Sequence, residues 1–136
     1  MSVCVLDTDV VIAALDRSDA HHRNAVRAFK RMTEEELDLL LCSVNYAESL
    51  VRPAEDERTL RLAVTAIAAL GIRIVSPDAA IARNAAGNRG LGISLADGFA
   101  LATATARDAA VASFDKRVRR ALRSVDLSLC QALAPR

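Results

Sequence analysis

The alternation of short β-rich runs with longer helical patterns constrains the fold of this chain more than any other feature. Apolar and β-branched residues are concentrated in five predicted strands: Val3–Leu6, Asp38–Cys42, Ile72–Val75, Ala110–Phe114 and Val125–Leu129. All except the last pair are separated by enough residues for a helical crossover. We therefore predict a three-layer α/β fold, with a central, mainly parallel sheet of about five strands flanked by helices.

Capping residues and glycine mark the ends of the predicted helices. Ser18 or Asp19 can cap a helix that reaches about Met32. Gly71 ends a long segment rich in Ala and Leu that begins after Pro53. These signals occur between the predicted strands, as an alternating α/β fold requires.

The length and the apolar content indicate one domain. The chain has 136 residues, of which 52% are hydrophobic, and this is sufficient for a single buried core spanning residues 1–136. The first residues lack the basic start and the long apolar stretch of a secretory signal. No apolar run approaches the roughly 20 residues of a membrane span. We expect a soluble, cytoplasmic protein that does not contact a membrane.

Basic residues are concentrated in one segment, although the net charge of +1 does not by itself indicate a polyanionic partner. Arginine supplies 16 of the 18 basic residues, and its guanidinium can bind a phosphate through two hydrogen bonds. Five bases lie within Lys116–Arg123. Charge alone favours a solvated amphipathic helix, with Val118, Ala121 and Leu122 facing inward.

Four acidic residues are predicted to meet at one edge of the sheet. Asp7 ends the first strand and Asp115 ends the fourth, so both lie at the carboxyl edge, where ligands bind in open α/β folds. Asp97 lies near the start of the helix before the fourth strand, and crossover helices start at that same edge. Glu48 lies in the first turns of the helix that follows the second strand.

Each of these residues also has a purely structural explanation, which is favoured for any one of them taken alone. The structural alternatives are a helix cap at Asp7 or Asp9, an i,i+4 ion pair of Glu48 with Arg52, a capping box of Ser94 with Asp97, and a helix start at Asp115. Convergence of all four carboxylates at the functional edge favours a site instead.

The predicted cluster of carboxylates indicates a metal ion. Several carboxylates held close together cannot all stay ionised without a compensating cation. Hard oxygen ligands suit Mg²⁺ or Mn²⁺, whereas zinc would require His or Cys at suitable spacing. One or two such ions can activate a water molecule, orient it toward a phosphodiester and neutralise the developing charge. We predict hydrolysis that needs no histidine base and no serine nucleophile.

Four segments together resemble a known family. They are Val5–Thr8, Ser43–Glu48, Ile93–Asp97 and Val111–Asp115. In this order and spacing they resemble a PIN-domain ribonuclease, specifically the toxin of a VapBC-type toxin–antitoxin pair, over essentially the whole chain. The resemblance implies a parallel sheet flanked by helices and endonucleolytic cleavage of RNA with Mg²⁺ or Mn²⁺. It also implies a homodimer and inhibition by a cognate antitoxin in the bacterial cytoplasm.

The resemblance also implies roles for individual residues. The family's acidic residues, which bind metal and catalyse cleavage, are matched by Asp7, Glu48, Asp97 and Asp115. Its supporting hydroxyls, which can orient water or a metal ligand, are matched by Thr8 and Ser113. The resemblance also favours contacts to the RNA backbone as the role of four basic residues after Asp115, which are Lys116, Arg117, Arg119 and Arg120.

Asp9 departs from the pattern of this family, in which a smaller neutral polar residue is common at that place. A fifth acid can alter the number of metal ions or simply cap the first helix. The sequence leaves both roles open.

Two other functions are consistent with parts of the sequence. Leu6–Val10 resembles the Asp-x-Asp opening of haloacid-dehalogenase-type phosphotransferases, in which Asp7 would be a covalent nucleophile. Glu48 and Asp97 have no role in that mechanism. A non-catalytic PIN-like binding module is disfavoured because all four acids are present.

Overall fold

Parallel strands and helices alternate through residues 2–134, the part of the chain that the computed structural model describes. The strands are β1 (Val3–Leu6), β2 (Asp38–Cys42), β3 (Ile72–Val75) and β4 (Ala110–Ala112). The helices are α1 (Thr8–Leu15), α2 (His22–Glu34), α3 (Ser43–Leu50), α4 (Glu57–Ala69), α5 (Ala79–Asn88), α6 (Leu95–Arg107) and α7 (Lys116–Ser124). None of the helices within this range is long and apolar enough to cross a membrane.

The strands within residues 2–134 form one parallel sheet in the order β3-β2-β1-β4. Val5 in β1 lies opposite Leu40 in β2 and Val111 in β4. The backbone N–H of Asp7 extends the β1–β4 pairing by donating to the carbonyl of Ala112 at 2.8 Å. The predicted α/β fold with a mainly parallel sheet is confirmed, and the carboxyl ends of β1 and β4 are neighbours.

The predicted fifth strand, Val125–Leu129, contributes only an isolated parallel bridge between Val111 and Leu129. Asp126 has a φ of 58°, which lies outside the β region and interrupts the extended run. A pattern of alternating apolar residues does not reveal such a backbone turn, so the described residues contain four strands and this bridge.

The fourth strand is shorter than predicted and ends at Ala112 instead of Phe114. Backbone groups that would pair with a neighbouring strand if β4 were longer form hydrogen bonds with side chains instead. The N–H of Phe114 donates to the carboxylate of Asp9, and the carbonyl of Ser113 accepts from the guanidinium of Arg119. The chain therefore leaves the sheet just before Asp115.

Helices cover both faces of the sheet, because successive side chains of a strand point to opposite faces. Cys4 and Leu6 of β1 pack into a core with apolar residues of α1, α2 and α4. Val5 of β1 packs into a second core with residues of α6 and α7. The three-layer arrangement follows from these two cores.

Of the helix ends predicted from capping residues and glycine, one is confirmed and one is displaced. Gly71 has a φ of 77°, the left-handed conformation that ends a helix, and it follows α4 as predicted. The predicted cap of α2 is displaced: α2 begins at His22, after His21, while Asp19 instead accepts the N–H of His21 at 2.8 Å. A turn thus replaces the first helical residues that were predicted there.

The close contact between α5 and α6 depends on Gly98. A Cβ atom at Gly98 would lie 2.7 Å from the carbonyl oxygen of Ala85 in α5. The buried side chain of Asn88 donates to the carbonyl of Gly98 at 3.1 Å, which fixes the two helices together. This contact holds the first turn of α6, the turn that carries Asp97.

We predict that Gly98→Ala lowers the free energy of unfolding by about 1–3 kcal/mol, because the added methyl group overpacks the α5–α6 contact. The matched control is Gly87→Ala in α5, where a new Cβ meets nothing within 4 Å. It should raise the free energy of unfolding by about 0.5–1 kcal/mol through helix propensity. Urea denaturation measures both, and stabilisation of both variants would contradict the prediction.

Candidate active site

Asp7 is a buried carboxylate at the end of β1, with only 2% of its surface exposed. One of its oxygens, Oδ1, accepts the backbone N–H of Thr8 at 2.9 Å, so that Asp7 caps α1. The other oxygen, Oδ2, accepts the hydroxyl of Ser113 at 2.8 Å. Because Ser113 follows β4 directly, this hydrogen bond joins the carboxyl ends of two neighbouring strands.

Asp9 lies in the first turn of α1 and faces the same edge. Its Oδ2 accepts the backbone N–H of Phe114 at 3.0 Å. Its Oδ1 is buried and has no hydrogen-bond partner among the described residues. Since Asp7 is the cap of α1, Asp9 does not have the capping role that the sequence left open. The unpaired oxygen is available to a cation or to a hydrogen-bond donor.

Asp97 and Asp115 also begin helices that start at this edge. Asp97 and Ser94 form the predicted capping box at the start of α6, with hydrogen bonds of 3.1 and 3.2 Å. Asp115 caps α7 by accepting the N–H of Arg117 at 2.7 Å and that of Val118 at 3.3 Å. The structural explanations for these two aspartates are therefore real, and they place both side chains at the carboxyl edge.

Glu48 stands apart from the other predicted site residues. It is exposed on α3, a helix that packs against α1 and α6. The ion pair with Arg52, which was the structural alternative for Glu48, does not form among the described residues. Glu48 is also not among the charges that contribute most to the pKa values of Asp7 and Asp9.

The aspartates at this edge perturb one another electrostatically. Burial raises the pKa of Asp7 well above its usual range, and the charges of Asp9 and Asp97 raise it further. The Ser113 hydroxyl opposes this rise. Burial likewise raises the pKa of Asp9 to about 6, with the charges of Asp115 and Asp97 adding to the effect and the N–H of Phe114 opposing it. We call these four residues (Asp7, Asp9, Asp97 and Asp115) the acidic rim.

Asn45 supports the helix starts that carry the acidic rim, and the sequence alone predicted no role for it. Its fully buried side chain donates from Nδ2 to the hydroxyl of Thr8 and to the carbonyl of Ala96, both at 3.1 Å. It therefore links the first turns of α1 and α6. The signal in the sequence is the i,i+4 spacing of Asn45 and Ser49, two polar residues that share the buried face of α3.

The supporting hydroxyls predicted at Thr8 and Ser113 both contact site residues. Thr8 accepts the amide of Asn45 through its hydroxyl. Ser113 donates to Asp7, and its hydroxyl oxygen accepts the N–H of Asp115 at 3.1 Å. Both side chains are buried and can hold the carboxylates in position.

The basic segment after Asp115 forms the amphipathic helix α7. Its inward residues are buried, as predicted: Val118, Ala121 and Leu122. Three of the four predicted RNA contacts are mainly solvated: Lys116, Arg117 and Arg120 are exposed. The fourth, Arg119, is half-buried and donates from Nε to the carbonyl of Ser113 at 2.8 Å. It therefore stabilises the strand end beside the acidic rim.

The donor set of the acidic rim fits a hard divalent cation. Carboxylate oxygens are the ligands that Mg²⁺ and Mn²⁺ prefer, and the unpaired Oδ1 of Asp9 adds a buried acceptor. Within residues 2–134, no three Asp, Glu, His or Cys side chains lie close enough together to hold one ion. Metal binding here would therefore require side-chain movement, and among the predicted ligands Asp115 and Glu48 are exposed.

Comparisons with known proteins agree with this architecture. The family model described as PIN domain matches residues 4–123. FitAcB from Neisseria gonorrhoeae is 22% identical, with a TM-score of 0.70, over 97% of this chain and 99% of that chain. VapC20 from Mycobacterium tuberculosis, a sarcin-ricin loop cleaving toxin, is 16% identical, with a TM-score of 0.69, over 87% of this chain and 94% of that chain.

A third solved structure has the same fold and contains nucleic acid. VapBC2 from Rickettsia felis, bound to a DNA fragment from its promoter, is 14% identical, with a TM-score of 0.73, over 94% of this chain and 97% of that chain. At these identities the likeness shows a shared fold. No curated protein matches the sequence.

The raised pKa of Asp9 predicts that the metal-free protein loses stability as the pH rises. The native state holds a proton on Asp9 up to about pH 6, whereas the unfolded chain releases it near pH 3.8. Stability therefore falls between these values, by at most about 3 kcal/mol from Asp9, and Asp7 acts in the same direction. We expect Asp9→Asn to reduce the fall in melting temperature between pH 5 and pH 7 in EDTA.

The matched control for this measurement is Asp126→Asn. Asp126 is exposed and lies beside the amino ends of β1 and β4, at the opposite edge of the sheet. Asparagine also tolerates its positive φ. The control should follow the parent curve, and an Asp9→Asn curve parallel to the parent would contradict the assignment of this pH dependence to Asp9.

Proposed function

Because the chain belongs to the PIN-domain family, we propose that it is a divalent-metal-dependent endoribonuclease whose site comprises Asp7, Glu48, Asp97 and Asp115. The observation that carries the proposal is the buried carboxylate of Asp7, whose pKa is raised by burial and by two neighbouring carboxylates. Ionisation of such a group is favourable only beside a compensating cation. The fold shared with VapC20, a sarcin-ricin loop cleaving toxin, supports RNA as the substrate.

Mg²⁺ or Mn²⁺ would be held by the four carboxylates of the proposed site, which are those of Asp7, Glu48, Asp97 and Asp115. The carboxylate of Asp9 would add negative charge beside them. A bound divalent cation neutralises charge that develops on a phosphodiester and lowers the pKa of water. Groups of the chain itself orient the carboxylate of Asp7. Ser113 donates to its Oδ2, and Thr8, which Asn45 holds in place, donates its backbone N–H to Oδ1.

The phosphotransferase alternative is disfavoured by the environment of Asp7. A nucleophilic carboxylate must be ionised and must reach the phosphorus atom. Both oxygens of Asp7 already accept hydrogen bonds, and its side chain is buried. Glu48 and Asp97 also have no role in that mechanism. The non-catalytic alternative is disfavoured because all four acids of the proposed site are present.

Replacement of Asp97 by asparagine tests the proposed site, because asparagine retains a side-chain oxygen that can accept the N–H of Ser94. The lost charge at the start of α6 costs about 0.3–1 kcal/mol, and removal of its repulsion on Asp7 and Asp9 offsets this cost. We expect an unchanged or higher melting temperature in EDTA. Cleavage of RNA in Mg²⁺ or Mn²⁺ should fall by orders of magnitude.

The matched control is Asp78→Asn, which makes the same exchange in the residue that caps α5. Asp78 is exposed, and its variant should cleave RNA like the parent. Cleavage by the parent should stop in EDTA and return with Mg²⁺ or Mn²⁺. Full activity in excess EDTA, or normal cleavage by Asp97→Asn together with a lower melting temperature, would contradict the proposed site.

We also propose that the protein is the toxin of a bacterial toxin–antitoxin pair, with a cognate antitoxin as its cytoplasmic partner. The fold shared with FitAcB and VapBC2 supports this role. The antitoxin would place a basic side chain among the carboxylates of the acidic rim, where charge-assisted hydrogen bonds are strong. The homodimer implied by the resemblance remains a prediction.

Co-expression with the product of the adjacent gene tests the partner. We expect a stable complex in which both RNA cleavage and Mn²⁺ binding are suppressed, because one basic side chain would compete with the metal ion for the same carboxylates. A complex that retains full RNA cleavage and metal affinity would show that the partner binds elsewhere.

A further inference from the structure

A basic cleft lies beside the acidic rim, between α2 and α7. Its volume is about 750 Å³, and residues 132–134 close one side of it. Four cationic side chains line it: Arg27 and Arg31 from α2, and Lys116 and Arg119 from α7. No Asp or Glu is present among the described residues that line the cleft. The cleft is therefore a concave, positively charged surface.

Two of the four cationic side chains form hydrogen bonds with backbone carbonyls, and the other two do not. Arg31 donates to the carbonyls of Ala132 at 3.3 Å and Ala134 at 2.9 Å, and Arg119 donates to the carbonyl of Ser113. These two guanidinium groups are anchored by the fold.

Arg27 and Lys116, in contrast, are exposed and take part in no ion pair or side-chain hydrogen bond within residues 2–134. Arg31 forms an ion pair with Glu35 at 3.9 Å, whereas the other three cleft cations have no acidic partner within residues 2–134, so an anion bound there would relieve their repulsion. The structure thus presents two cations from two different helices to the same volume.

The cleft is continuous with the acidic rim through Phe114. The backbone N–H of Phe114 binds Asp9, whereas its ring lines the cleft and stacks on His21, with ring centroids 4.6 Å apart and planes inclined by 11°. His21 is exposed, so this stacked pair lies at the protein surface. Basic grooves bordered by aromatic rings are typical of surfaces that bind single-stranded nucleic acid.

We propose that the α2–α7 cleft binds the backbone of single-stranded RNA next to the cleaved bond, with Arg27 and Lys116 contacting phosphates. The inference rests on the proposed ribonuclease function and extends the RNA site from α7 to α2. Contacts to phosphates hold a strand in position without reading its sequence. The cleft would therefore place the strand across the acidic rim without selecting the bases.

The test is RNA binding by the double variant Arg27→Gln/Lys116→Gln. The probe is a short fluorescent single-stranded RNA, and Asp97→Asn is present in all proteins to prevent cleavage. Each cation in contact with single-stranded nucleic acid contributes about 0.7 to the slope of log affinity against log salt, so loss of two should reduce the slope by about 1.4. At low salt the Kd should rise by about tenfold or more.

The matched control is Arg58→Gln/Arg83→Gln, which removes two exposed arginines from α4 and α5, outside the cleft. It should leave the slope unchanged. An equal slope in the two double variants would overturn the cleft as an RNA site. Melting temperatures of the double variants within a few degrees of each other would exclude misfolding as the cause of a difference.

Failure of this inference is distinguishable from failure of the proposed function. If the protein with Asp97 intact cleaves RNA, and the cleft variant keeps the dependence of RNA affinity on salt, only the proposal for the cleft is overturned. If the parent does not cleave RNA but binds it through the cleft, the ribonuclease proposal fails and the binding site stands. If the parent neither cleaves nor binds RNA, both are overturned.

Discussion

The hydrogen bond from Ser113 to Asp7 organises the functional edge of this protein, because it joins the ends of β1 and β4 at one buried carboxylate. The same carboxylate caps α1, and the same hydroxyl accepts the N–H of Asp115 at the start of α7. Two strands and two helices thus share one small network. Burial raises the pKa of Asp7, and the hydrogen bond from Ser113 opposes that rise, so the network that orders this edge also sets the charge of its central carboxylate.

The parts of the fold that follow from local sequence were predictable. The strands Val3–Leu6, Asp38–Cys42 and Ile72–Val75 were predicted with the bounds that the structure has, because short apolar runs separated by helical segments specify buried parallel strands. The end of β4 and the segment Val125–Leu129 depend on tertiary partners and on a left-handed residue. Neither leaves a periodic signal in the sequence.

The candidate site was predictable to the same extent. Asp7, Asp97 and Asp115 lie at strand and helix ends, and the rules of parallel topology bring such ends to one edge. The spacing of Asn45 and Ser49 indicates a buried polar face on α3, but it does not identify the partners of Asn45, which are distant in sequence. The N–H donors at the helix starts stabilise the negative charge of the carboxylates that cap them, as at Asp7 and Asp115.

Opposite charges on adjacent surfaces provide a physical reason for the position of the basic cleft. A polyanion that approaches the acidic rim is repelled by the same carboxylates that would bind the metal ion, and this repulsion is strongest before any cation is bound. Cations on α2 and α7 offset the repulsion, and they lie where the backbone of Phe114 joins the two surfaces. Such an arrangement would attract a strand to the rim and would leave the carboxylates free for the proposed metal ion. Placing those cations within the rim would instead pair them with the carboxylates and exclude the metal.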